Sequence, residues 1–251
     1  YAAFYRVATL GSGAGVAAIY YFNERGVPYS KGTGLYTIEY MLQKVSIALF
    51  AGIFFILNWG YMQKYYSQYD MTLLIGFGVT FVIAAVLLLF ACSKKFHEVL
   101  LWIVRKLNRS GKLTEQVKKL EEQCAILEDA AATLLKRGGL IAGCILKNLL
   151  KFTFWYGIPF LILAETGKLT LSQGLAVTSL AMMLAAVIPA PAGIGSSEFV
   201  LTMLLAKIVG TGAAGSVALL YRFATFVLPF VIGAVVVVLW RRVHRSTEKA
   251  A

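Results

Sequence analysis

Two ionisable residues lie inside stretches that are otherwise apolar, and they are the first candidates for chemistry. Glu198 directly follows the broken run Ile188–Ser197, and Arg222 follows Tyr221 within the last long apolar stretch. Arginine offers a planar fork of donors that suits phosphate oxygens. A glutamate beside it could hold that fork in place, or pair with a cationic group on a ligand. Two plainer roles compete. Ser196, Ser197 and Glu198 suit the first turn of a helix, where their oxygens would cap it, and a Glu–Arg pair can simply fasten two helices. Gly193 and Gly195, with Pro189 and Pro191, break the helix before Glu198. Without side chains, these glycines would let backbone N–H groups at a helix N-terminus approach an anion. A second break, Ala8–Gly15, carries Gly11 and Gly13. Glu39 and Gln43 share one helical face, with Lys44 beside them, and Lys147 and Lys151 share another. A charge at the centre of an apolar helix costs at least ~2.5–3.5 kcal/mol in a bilayer and is a functional candidate by default. Glu39 and Lys147 therefore join the candidate site, whereas Lys44 and Lys207 suit snorkelling near helix ends.

Other chemistries lack residues. Cys92, Cys124 and Cys144 form no paired motif, and only His97 and His244 accompany them, so neither a metal site nor another cofactor is expected. Nothing resembles a phosphate-binding nucleotide loop or a nucleophile–base constellation, so no catalytic residue is assigned.

The elements that must position the candidates follow from composition. Of 251 residues, 59% are hydrophobic and 14% charged, against about 45–50% and about 25% in soluble domains. The mean hydropathy is +0.74. These values describe an all-α, polytopic membrane protein. The 24 Lys and Arg exceed the 12 Asp and Glu, giving +12. That excess clusters in loops beside apolar runs, as the positive-inside rule requires, and implies no nucleic acid partner.

Four full spans are expected, at Leu35–Leu57, Met71–Cys92, Leu140–Ala164 and Val217–Trp240. Ser30–Gly34 reads as a polar junction and Asn58–Asp70 as an interfacial aromatic belt. Ser93–Gly138 is strongly basic and is expected in the cytoplasm. Within it, Lys95–Leu107 has an amphipathic face suited to an anionic lipid surface. Leu113, Val117, Leu120, Cys124, Leu127, Ala131 and Leu134 form an a/d seam, either for a neighbouring helix or for a dimerising coiled coil. Arg241, Arg242 and Arg245 put the C-terminus in the cytoplasm. The two broken segments are expected to re-enter the membrane, Ala8–Gly15 from the cytoplasmic side and Ala190–Glu198 from outside, in the relation of an inverted repeat. Gly210–Gly215 reads as a flexible junction. Interrupted helices in corresponding halves point to a transporter's substrate site, though small residues also serve close helix packing.

These same segments carry a resemblance. PAPAGIGSSEFVLTMLLA (Pro189–Ala206), ALLYRFATFVLPFVIGAV (Ala218–Val235) and ATLGSGAGVAAIYYFNERGVPYSKG (Ala8–Gly32) resemble, in order, three motifs of the lysylphosphatidylglycerol synthase transmembrane family, the flippase-like membrane domain of the multiple peptide resistance factors. Ala192-Gly193 stands where the family has Gly-Gly, and GSGAG where it has a Gly-Gly pair. The resemblance implies a single flippase-like domain over 1–251, binding a phospholipid such as lysylphosphatidylglycerol, or a polyprenyl-phosphate lipid, and moving it between the leaflets of a bacterial plasma membrane. It also implies an alternative: the membrane part of a phosphatidylglycerol lysyltransferase, acting with a transferase partner. The chain begins at Tyr1, so it is expected to be N-terminally incomplete, and it is expected to hold no transferase domain of its own.

Overall fold

The computed structural model describes residues 2–9, 13–67, 94–107, 114–135, 137–188, 190 and 193–248, with positions 78, 79, 82, 85, 86 and 89. The expected span Met71–Cys92 therefore lies almost wholly outside the described residues. Among those described, every regular element is helical. In chain order they are α1 (Ala2–Ala8), α2 (Gly13–Asn23), α3 (Tyr29–Leu57), α4 (Trp59–Tyr66), α5 (Lys94–Leu107), α6 (Thr114–Leu135), α7 (Gly138–Leu163), α8 (Leu171–Ala185), α9 (Ser196–Val209), α10 (Thr211–Arg222) and α11 (Leu228–Glu248). A π turn, Phe223–Val227, joins the last two.

The centre is α8. Gly174 to Ala181 are all buried, as are Met183 and Ala185, because a helix that is apolar all round has to be enclosed by others. It packs against α3, α7 and α9. At 15 residues it is about 22 Å long, short of the ~30 Å hydrocarbon core. Thr170 and Gln173 close its first turn reciprocally, the Gln173 N–H donating to Thr170 Oγ1 at 3.3 Å and the Thr170 N–H to Gln173 Oε1 at 3.0 Å. Asn58, just past α3, donates to Ser172 Oγ at 2.8 Å and so levels the end of α3 with the start of α8. The crossing of α7 and α8 is close. A Cβ at Gly174 would lie 2.8 Å from Cβ of Phe160. Gly174→Val is expected to cost about 1–3 kcal/mol of overpacking and to lower the thermal midpoint in detergent.

Among the described residues, two helical stretches, Tyr29–Leu57 and Thr211–Leu239, are long and apolar enough to cross a membrane. Only 28% and 11% of their most apolar windows are buried within the protein, so most of that apolar surface faces outward and needs an apolar solvent. The outer face of α7 behaves alike, with Leu146, Phe154 and Leu161 each about two-thirds exposed.

Several boundaries differ from those expected. Ser30–Gly34 is not a junction but the opening of α3, with Gly32 and Gly34 buried. Packing against α2 overrides the polar composition there. The segment after Asn58 forms α4, which buries Met62 and Tyr66 and leaves Trp59 outside. The Tyr66 hydroxyl donates to the Leu204 carbonyl at 3.0 Å, so part of the supposed belt is core. Gly210 alone makes the turn between α9 and α10, at φ 84°. Gly212 and Gly215 continue as helix. The basic block contains two helices, α5 and α6, as its periodicity predicts. Val117 and Cys124 of the seam are buried and α6 lies against α3, as in the neighbouring-helix alternative.

Candidate functional site

The break before Glu198 is a tight turn built by glycine. Gly193 and Gly195 adopt φ 69° and 85°, a left-handed region that costs other residues roughly 1–2 kcal/mol. Nothing lies within 4 Å of where a Cβ on Gly195 would sit, so this face borders open space. Pro189, Pro191 and Ala192 lie outside the described residues.

The backbone donors of the turn are engaged internally. The Gly193 N–H donates to the Ala190 carbonyl at 3.0 Å, and the Gly195 N–H to Glu198 Oε2 at 3.0 Å. These two N–H groups therefore do not project into the open space. The glycines supply shape, and Glu198 caps α9 from its third position. Ser197 Oγ lies 2.8 Å from Glu198 Oε2 and 3.0 Å from the Gly193 carbonyl, and Ser196 Oγ donates to the same carbonyl at 3.3 Å.

The second carboxylate oxygen does something else. Glu198 Oε1 accepts from Arg222 Nε at 3.1 Å, with the two side chains 21% and 18% exposed. Arg222 Nη1 donates to Ser197 Oγ at 3.4 Å, and its guanidinium lies over the Phe226 ring, 4.0 Å from the centroid. Chain geometry explains the meeting. Glu198 is twelve residues before Gly210 and Arg222 twelve after it, so an antiparallel α9–α10 hairpin folded at Gly210 brings them level. That hairpin is observed. Arg222 is the last residue before the π turn, where the Leu228 N–H reaches back five residues to the Phe223 carbonyl. Pro229 explains it, since it offers no N–H to the Thr225 carbonyl and its ring crowds the preceding turn.

The remaining candidates divide. Tyr221 is buried in the main core. At the first break, the Gly13 N–H is taken by Thr9 Oγ1 at 2.6 Å, and Gly11 is outside the described residues. Lys147 is exposed on α7 with no contact to the pair. Glu39 is exposed on α3 but falls within the electrostatic field of Lys151 and Tyr36. Lys151, one turn beyond Lys147, is half-buried beside the Phe152 and Trp155 rings.

Two residues that touch the pair escaped the sequence reading as ligands, Ser197 and Phe226, and a third residue, Arg6, lies nearby. Arg6 is exposed on α1, and as a like charge it repels both Arg222 and Lys151. The available signal was a lone charge just ahead of the first break. Chemically, Glu198 and Arg222 form a half-open ion pair across the α9–α10 hairpin, beside the open space at Gly195, with the Glu198 carboxylate committed to Arg222, Ser197 and the Gly195 N–H.

Residues 8–233 match the family model described as the lysylphosphatidylglycerol synthase TM region. The comparisons with curated proteins and with solved structures return no match.

Proposed function

Because this chain belongs to the lysylphosphatidylglycerol synthase transmembrane family, we propose that it binds the headgroup of a phosphate-bearing lipid in the recess around Arg222 and carries it between leaflets. The membership itself gives a membrane role in lipid synthesis or translocation. The observation that carries the finer reading is the Glu198–Arg222 pair. A half-open ion pair between two apolar helices is costly to bury, and plain fastening would be better served by apolar packing. A headgroup phosphate crossing the hydrocarbon needs donors and positive charge, and Arg222 supplies both. Glu198 keeps the fork aimed and the helix capped between passages. As the headgroup enters, its phosphate replaces part of the carboxylate's hold on the guanidinium, so neither charge meets the apolar phase alone.

In this reading α8 and α9 form a hairpin that re-enters from outside, and α1 and α2 a counterpart from the cytoplasm. α3, α7 and α10–α11 span, and α5 and α6 lie on the cytoplasmic side. Three observations support the arrangement: the short length of α8, the levelling of Asn58 with Ser172, and the exposed apolar face of α7. On α5, Val99 and Trp102 are more than half exposed, which suits insertion into a lipid surface. Lys118 is exposed on α6. With the native cysteines replaced, a cysteine at position 118 is expected to react with an impermeant thiol reagent only after the cytoplasmic side is opened. Labelling in intact cells overturns this orientation.

The ligand is tested by mass spectrometry of the protein purified from membranes. The expected result is a co-purified phospholipid that Arg222→Gln loses. Its retention by that variant contradicts the site. The family description also leaves room for a second reading, in which the domain presents lipid to a lysyltransferase partner. Copurification with such an enzyme distinguishes it.

A further inference from the structure

We infer that Arg6 and Lys151 complete, with Arg222, a three-cation site for the headgroup phosphate. This rests on the lipid-handling reading above and extends it to residues from the first break and from α7.

Geometry brings the three together from separate helices. Phe4 stacks on Phe230, with centroids 5.2 Å apart and planes 9° from parallel. A Cβ on Gly233 would lie 3.1 Å from Phe4, so α1 rests directly on α11. Phe226, one turn before Phe230, is the ring beneath Arg222. The short helix carrying Arg6 thus covers the same helix face that presents Arg222, and Arg6 lies in its field. Lys151 arrives from another side, since α7 packs against both α10 and α3. Depth agrees as well. Counted from the starts of α3, α7 and α10, Glu39, Lys151 and Arg222 lie about 15, 20 and 16 Å along their helices, near the middle of a ~30 Å core.

Charge then selects the ligand. Arg222 is paired with Glu198 and Lys151 is attracted by Glu39, while Arg6 is exposed on α1 and repels both cations, which leaves one positive charge over on the open side of the site. One phosphodiester monoanion balances the site, and acyl chains have the exposed apolar faces of α7 and α11 beside it. The first break acts here by delivering Arg6 to the phosphate, with its own glycine donor spent on Thr9.

The test uses full-length protein in proteoliposomes containing fluorescent phosphatidylglycerol. Arg6→Gln and Lys151→Gln are each expected to slow translocation about five- to tenfold, whereas Arg6→Lys and Lys151→Arg stay within about twofold of wild type. If both glutamine variants run at the wild-type rate while Arg222→Gln is slow, this inference fails and the lipid reading stands. If Arg222→Gln is also unaffected, both fail. Equal slowing by Arg6→Lys and Arg6→Gln overturns the charge argument, because packing would then be the cause. A thermal shift with short-chain phosphatidylglycerol but not with inorganic phosphate is expected, and stabilisation by inorganic phosphate alone overturns the assignment to a lipid headgroup.

Discussion

Arg222→Lys is expected to slow lipid translocation by about tenfold or more, although the charge is kept. Arg222 makes two directed contacts at once, Nε to Glu198 at 3.1 Å and Nη1 to Ser197 at 3.4 Å, while its plane covers Phe226. A lysine ammonium is a point charge. It can meet Glu198, but it cannot hold Ser197 and the ring while presenting a planar face to a phosphate. Arg222→Gln goes further, leaving the Glu198 carboxylate without its cation in the first turn of α9. That change is expected to cost about 1–3 kcal/mol of stability, discounted because the pair is one-fifth open. Paired measurement of transport and of thermal midpoint separates the two effects. Arg222→Lys should lose transport with little change in midpoint, and Arg222→Gln should lose both.

Glu198→Gln is the second large effect, and its basis is that the two carboxylate oxygens have separate duties. Oε2 accepts from Gly195 and Ser197 at 3.0 and 2.8 Å, while Oε1 accepts from Arg222 at 3.1 Å. A glutamine has one acceptor oxygen. If it keeps the cap, its NH2 group faces the Arg222 Nε–H, and donor meets donor. The cap is worth about 1 kcal/mol, and keeping it preserves most of the fold. Translocation should fall about tenfold while the midpoint drops only a few degrees. Glu198→Asp, one methylene shorter, reaches either the turn or Arg222 but not both, and should fall in the same direction. Wild-type transport by Glu198→Gln would reduce the pair to a helix fastener.

How much of this was legible depended on how local each signal was. The two breaks, at Ala8–Gly15 and before Glu198, could be read because glycine and proline act on their own backbone. Glu198 and Arg222 could be read because a charge in an apolar run is conspicuous without any partner. Their contact was present in the numbering, twelve residues either side of Gly210. The pairing was anticipated from charge alone, but this hairpin geometry went unread because the sequence there, Gly-Thr-Gly-Ala-Ala-Gly, looks like a loose joint. In the structure only Gly210 turns, and α10 begins at Thr211, because Ala214, Val217 and Ala218 gain burial as helix. The N–H groups of Gly193 and Gly195 themselves are taken by the Ala190 carbonyl and the Glu198 side chain, and composition shows that a break releases backbone groups but not which neighbours take them. Lys147 and Lys151 share a helix face, and no periodicity could choose between them. The choice depends on where α7 meets α3 and α10, which is tertiary information. Arg6 went unread because its partners lie far along the chain, on α7 and at the end of α10.

The measurement that bears most directly on lipid translocation through this recess is leaflet exchange by the purified wild-type chain. Vesicles carrying headgroup-labelled phosphatidylglycerol are treated with an impermeant quencher, with protein-free vesicles and Arg222→Lys vesicles alongside. Wild-type vesicles are predicted to lose fluorescence from both leaflets, while protein-free vesicles stop once the outer leaflet is quenched and Arg222→Lys vesicles pass that point about tenfold more slowly than wild type. Quenching that stops at the outer leaflet in wild-type vesicles, or proceeds equally fast in wild type and Arg222→Lys, would contradict the account.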